Sequence, residues 1–89
     1  MELTIHSNVP GMTGVAVLSA ESNATVASLI RAFCVEKGVR YRSDVILTNS
    51  RLDELGSRRT LASYDIHNGE ELYLTMQGTI PTQLLFYNY

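Results

Sequence analysis

The chain has 89 residues, 45% hydrophobic and 18% charged, which suits one compact domain with a core, so the chain as a whole is not a disordered segment. Seven basic against nine acidic residues give a formal charge of −2, with Arg58-Arg59 the only adjacent basic pair. That balance argues against a polyanion partner, because phosphate neutralisation needs clustered positive charge.

One cysteine, Cys34, excludes an internal disulfide framework and a four-ligand zinc site. No apolar run approaches the ~20 residues that cross a bilayer, and Met1-Glu2-Leu3-Thr4-Ile5 lacks the basic-then-apolar pattern of a signal peptide. The expectation is a soluble protein of a reducing compartment, cytoplasmic or nuclear, with no membrane partner and no cofactor.

Met1 to His6 alternates, with Met1, Leu3 and Ile5 on one face and Glu2, Thr4 and His6 on the other. Period two marks a strand with one buried face. Ser7 to Gly14 is dense in turn formers, and Pro10-Gly11 suits the centre of a type II turn. Val15 to Leu18 is a second run of strand length, so residues 1–20 read as a hairpin with a long loop. Either Val15 and Val17 or Ala16 and Leu18 face the core; periodicity leaves both open.

A helix is predicted over residues 26–37. Thr25 is a suitable N-cap, with Asn23 its competitor, and Val26, Leu29, Ile30 and Phe33 follow at the i, i+3, i+4, i+7 spacing of one apolar stripe. Gly38 is a left-handed stop, and Lys37 sits well at the negative end of the helix dipole. Asp44 to Thr48 is a third strand, ended by Asn49-Ser50. Leu52 begins a short piece, Asp53 to Arg59 reads as polar loop, and Thr60 to Tyr64 suits one helical turn. Asn68-Gly69 signals a turn before a last strand, Glu71 to Met76. No internal repeat or low-complexity tract interrupts this order.

Four strands and one helix set the fold class as α+β. One amphipathic helix covers one face of one small sheet, so the first and last strands can lie parallel at the sheet centre. The other face then has no long element to cover it and is left for solvent or a partner.

This order, together with particular residues, resembles ubiquitin. Arg59-Thr60-Leu61, Tyr64 and Ile66 are similar to the pattern that precedes the family's last strand, and Leu72-x-Leu74 stands where the family keeps paired leucines. Thr25-Val26, Phe33 and Gly38-Val39 match the capped helix and its exit, and Val45-Ile46-Leu47 matches the third strand. The resemblance covers about residues 1–77, with an expanded first loop and a small insertion near Asp53–Ser57. It implies a ubiquitin-like β-grasp fold over residues 1–78, followed by a tail over 79–89. Met-x-Leu-Thr-Ile and Leu61-Ala62-Ser63-Tyr64 further resemble the N-terminal domains of proteasome shuttle proteins.

The resemblance implies a protein-binding module that meets proteasomal or ubiquitin-pathway receptors, as a monomer, through an apolar patch around an isoleucine of the third strand. That isoleucine is Ile46. Tyr73 and Thr75 share its outward face by period two, and Val9 and Met12 of the first loop are expected to complete the surface. Thr75 replaces the family's usual valine and makes the patch more polar. Tyrosine suits such half-wet contacts.

The alternative that the resemblance implies is a covalent modifier. Conjugation needs an extended tail ending in glycine; Gly78 is the only glycine after Leu74, and Thr79 to Tyr89 would first be removed. Lys37, the sole lysine, is the one side-chain amine that would accept a modifier. The apolar, uncharged Leu84-Leu85-Phe86-Tyr87 lies outside the resemblance; it is a linker, a disordered end or a docking segment.

No catalytic constellation stands out. His6 faces outward, whereas Cys34 belongs to the helix on the inner face, ~10 Å away across the layers, so no Cys–His pair forms. Ser63, Asp65 and His67 are close in sequence without a turn that aims them at one another. No glycine-rich phosphate loop follows a strand, and no small-molecule substrate is implied.

Overall fold

Alternation at the amino end produces strand β1, Glu2–Ser7, in the computed structural model, which describes residues 1–77. Leu3, Ile5 and Ser7 turn inward. Strand β2, Gly14–Ser19, pairs antiparallel with β1, placing Leu18 opposite Leu3 and Ala16 opposite Ile5. Directly opposed residues share a face. The register therefore settles the question left open by periodicity: Ala16 and Leu18 face the core, and Val15 and Val17 face away.

Helix α1, Val26–Glu36, starts where the spacing predicts. The Thr25 hydroxyl accepts the Ser28 backbone N–H at 3.1 Å, satisfying one of the unpaired donors of the first turn. Two more are taken from outside the helix, Val26 N–H by the Arg59 carbonyl and Ala27 N–H by the Ser57 carbonyl, each at 2.9 Å. Val26, Leu29, Ile30, Phe33 and Cys34 form the buried stripe. Lys37 caps the other end, and Gly38 takes a left-handed φ of +70°, which costs glycine little.

Strand β3, Val45–Thr48, is followed by a strand that the polar composition of residues 53–59 conceals, β4, Glu54–Leu55. The Asn49 side-chain carbonyl accepts the N–H groups of Arg51 and Asp53 at 2.9 and 3.0 Å, folding the chain back. Leu55 is thereby set opposite Leu47, and both are buried. A 3-10 turn at Ala62–Tyr64 ends at Asp65, whose φ is +58°. The Tyr64 hydroxyl accepts the Gly56 N–H at 2.7 Å and ties this turn to the end of β4.

Strand β5, Glu71–Met76, lies parallel to β1 and antiparallel to β3. The sheet order is β2-β1-β5-β3-β4, five strands instead of the predicted four, with the first and last long strands side by side as expected. Leu3, Ile5, Leu47, Leu72 and Leu74 meet α1 on one side. Each such side chain contributes roughly 1.5–3 kcal/mol on burial. The layering is that of a β-grasp, with α1 and the core on one face of the sheet. The predicted tail, residues 79–89, and Gly78 lie outside the described residues.

Candidate functional site

The sheet face opposite α1 is built by register. Leu47 opposes Leu74 in the core, so Ile46 and Thr75, also opposed, share the outer face, as do Thr48 and Tyr73. His6 pairs with Tyr73 across the parallel β1–β5 ladder, and Val15 pairs with His6 from β2. One outer row therefore runs Val15, His6, Tyr73, Thr48. Ile46 and Thr75 form the next, shorter row.

Ile46 and Tyr73 are partly exposed, as expected for side chains turned away from the helix. Tyr73 is fixed by a stacked contact with the His6 ring, centroids 5.0 Å apart and planes 17° from parallel. His6 Nε2 in turn lies 2.6 Å from Glu71 Oε1, within hydrogen-bond distance. An aromatic ring stacked on a neighbour of the adjacent strand loses little freedom when a partner arrives, which favours contact.

Two expectations about this surface are corrected. Val9 and Met12 are buried, not part of an exposed patch. The cause is the path of the first loop. The Ser7 hydroxyl accepts the Val9 N–H at 3.1 Å, Val9 C=O accepts the Met12 N–H at 3.0 Å, and Asn8 N–H reaches Leu74 C=O at 3.2 Å. This tight turn drives both side chains into the core cluster. Thr75 is on the predicted face but is only 1% accessible, and its neighbour Thr48 is 0% accessible. Thr75 Oγ1 has no hydrogen-bond partner.

The residues that sequence reasoning missed are Val15 and Val17, exposed at 54% and 61% on the outer side of β2. Only the β1–β2 register assigns their face, and the long loop hides that register from the sequence. Beside Ile46, Arg42 forms a bidentate pair with Asp44, Nε to Oδ1 at 3.0 Å and a terminal nitrogen to Oδ2 at 2.8 Å. Arg42 also donates to the Pro10 carbonyl at 3.1 Å and approaches Met76 Sδ at 3.4 Å, so it pins the first loop to the ends of β3 and β5. These hydrogen bonds hold the Asp44 carboxyl below the ordinary aspartate value.

Lys37 stands apart from this surface, its Nζ 5.6 Å from the Phe33 ring centroid. Cys34 is buried on α1 and His6 lies on the opposite side of the sheet, which separates the two reactive groups. Ser63 Oγ donates to the Thr60 carbonyl at 2.7 Å, although Asp65 and His67 approach each other at 3.4 Å. That bond commits the serine to its own turn. Among the described residues, no three His, Cys, Asp or Glu side chains gather to hold a metal ion, and no helix is long and apolar enough to cross a membrane.

No family model matches the chain, and no curated protein does. Among solved structures, the chain is similar to ubiquitin of Caldiarchaeum subterraneum, with a TM-score of 0.71 and 24% identity, over 89% of this chain and 95% of that one. The likeness establishes the fold: a ubiquitin-like β-grasp of the α+β class.

Proposed function

We propose that this domain is a non-enzymatic ubiquitin-like binding module, which docks on a proteasomal or ubiquitin-pathway receptor through its outer sheet face. The observation that carries the reading is the register that turns Ile46 and Tyr73 out of the same face while their neighbours Leu47, Leu72 and Leu74 fill the core. Ile46 and Tyr73 are diagonal neighbours on paired strands, close enough for one partner side chain to touch both. Val15 extends the same face toward β2.

The face is less apolar than a run of valines and leucines would be. The partly exposed His6 ring stands beside Tyr73, so the contact suits a modest, exchangeable interface instead of a permanent one. The domains of proteasome shuttle proteins, which the opening residues resemble, are receptor-binding units of this kind. The alternative of a covalent modifier depends on Gly78, outside the described residues, and no observation on residues 1–77 favours it.

The test is a titration of the isotope-labelled chain with the ubiquitin-binding domain of a proteasomal receptor, followed by amide shifts. Shifts are expected at Ile46, Thr48 and Tyr73, and Ile46→Ala should weaken binding about tenfold, the loss typical of a central apolar anchor. Shifts confined to α1, or undiminished binding by the Ile46→Ala protein, would overturn the reading.

A further inference from the structure

We propose that the outer face takes a protein surface that carries lysine or arginine around an apolar anchor. The inference names the chemistry of the partner and rests on the reading above for the choice of face. The first observation is how charge is divided over the molecule. The whole chain is nearly balanced, with seven basic and nine acidic residues. Its sheet is not. The five strands contain three glutamates, Glu2, Glu54 and Glu71, and no aspartate, lysine or arginine. Each glutamate precedes a buried leucine, Leu3, Leu55 or Leu72, and is itself exposed. Alternation therefore turns all three onto the side away from α1, the side that also presents Ile46, Tyr73, Val15 and Val17.

The second observation is that the domain leaves this charge uncompensated. Arg42, the base beside Ile46, gives two hydrogen bonds to the Asp44 carboxylate. Arg51, in the turn after β3, pairs with Asp53 at 3.5 Å. Among the described residues, no lysine or arginine forms an ion pair with Glu2, Glu54 or Glu71. Only His6 approaches one of them, with its Nε2 2.6 Å from Glu71 Oε1.

The third is spacing. Glu71 lies two residues from Tyr73 along β5, about 7 Å at strand rise. Glu54 opposes Thr48, which opposes Tyr73, so it lies two strands across, about 10 Å. Both separations are no more than the Debye length of about 10 Å at about 0.1 M salt. A partner seated on Ile46 and Tyr73 therefore brings its flanking charges into the field of these carboxylates. Like charge there is repelled, whereas lysine or arginine is steered in and held in register. A neutral flank strips water from the carboxylates and returns nothing.

The test uses the isotope-labelled full-length chain and two synthetic amphipathic helices of about five turns. They share one leucine stripe, flanked by lysine in the first and by glutamate in the second. The lysine peptide should shift the amides of Val15, Ile46 and Tyr73, and the glutamate peptide should not. Its affinity should fall several-fold as salt is raised to about 1 M, where the Debye length is about 3 Å. In the full-length Glu2→Lys, Glu54→Lys variant, which leaves the His6–Glu71 contact in place, the preference should vanish or invert.

Equal shifts from the two peptides, or none from either, overturn the inference, as does an unaltered preference in the variant. So do lysine-peptide shifts centred on Glu36, Asp65 or Glu70, which would reduce the effect to general attraction by an acidic protein. Discrimination between the peptides without shifts from the proteasomal receptor domain would uphold the basic partner and count against that receptor. Receptor-induced shifts at Ile46 without discrimination would do the reverse.

Discussion

Asp44 shows how one side chain links the site to the rest of the fold. The Arg42 guanidinium hydrogen-bonds both of its oxygens and holds its carboxyl below the ordinary value of 3.8. A carboxylate whose pKa is lower folded than unfolded stabilises the fold above its unfolded pKa, and that contribution disappears as pH falls through the folded value. The pair is solvent-exposed, so the effect is small and screened by salt. We predict that Asp44→Asn flattens this part of the acid limb. Between about pH 5 and pH 2, where depressed aspartates titrate, the urea midpoint of the variant should fall less than that of the unaltered chain. Equal falls would remove the pair from the stability of the domain. The sequence displays Arg42 and Asp44 two residues apart, but their hold on Pro10 depends on a loop path that no periodicity encodes. Thr75 teaches a similar lesson. Its face was readable from alternation, yet its burial was not, because period two says which way a side chain points and nothing about how deeply it is buried.

At the level of elements, strong periodicity was the reliable guide. The Thr25 cap, the apolar stripe and Gly38 bounded α1 to within one residue, and alternation found β1 and β5. Ile46 and Tyr73 were legible for the same reason. β4 was not, because two residues hold no period, and the turn that creates it depends on a side-chain acceptor, Asn49. The first loop was misread for a related cause. Turn-forming residues implied an exposed excursion, whereas the local hydrogen bonds fold Val9 and Met12 inward. Met12→Ala should therefore act on stability, lowering it by about 2–4 kcal/mol through the lost side chain and the space it leaves. Denaturant unfolding measures the loss. A change of less than about 0.5 kcal/mol, the usual range for surface positions, would return Met12 to the surface.

The whole molecule is organised around the β1–β5 pair, which joins its two most distant described strands at the sheet centre. Both have a paired strand on each side, while β2 and β4 lie at the rims. Amide exchange should follow this order: slowest at Ile5, Leu72 and Leu74, faster along the rim side of β2 and in Glu54–Leu55. Uniform protection across the five strands would contradict this hierarchy. Composition and element order were enough to anticipate the single layer pair and its central parallel strands. They were silent on how the rims are finished.

The same central pair has a bearing on biosynthesis. A ribosome releases β1 first and β5 last, so the sheet has no middle until almost all of residues 1–77 has left the exit tunnel. The β1–β2 hairpin and α1 can take shape beforehand, but they remain without the leucines of β5 to lie against. For most of its translation, the nascent chain therefore lacks the strand that completes the middle of its sheet.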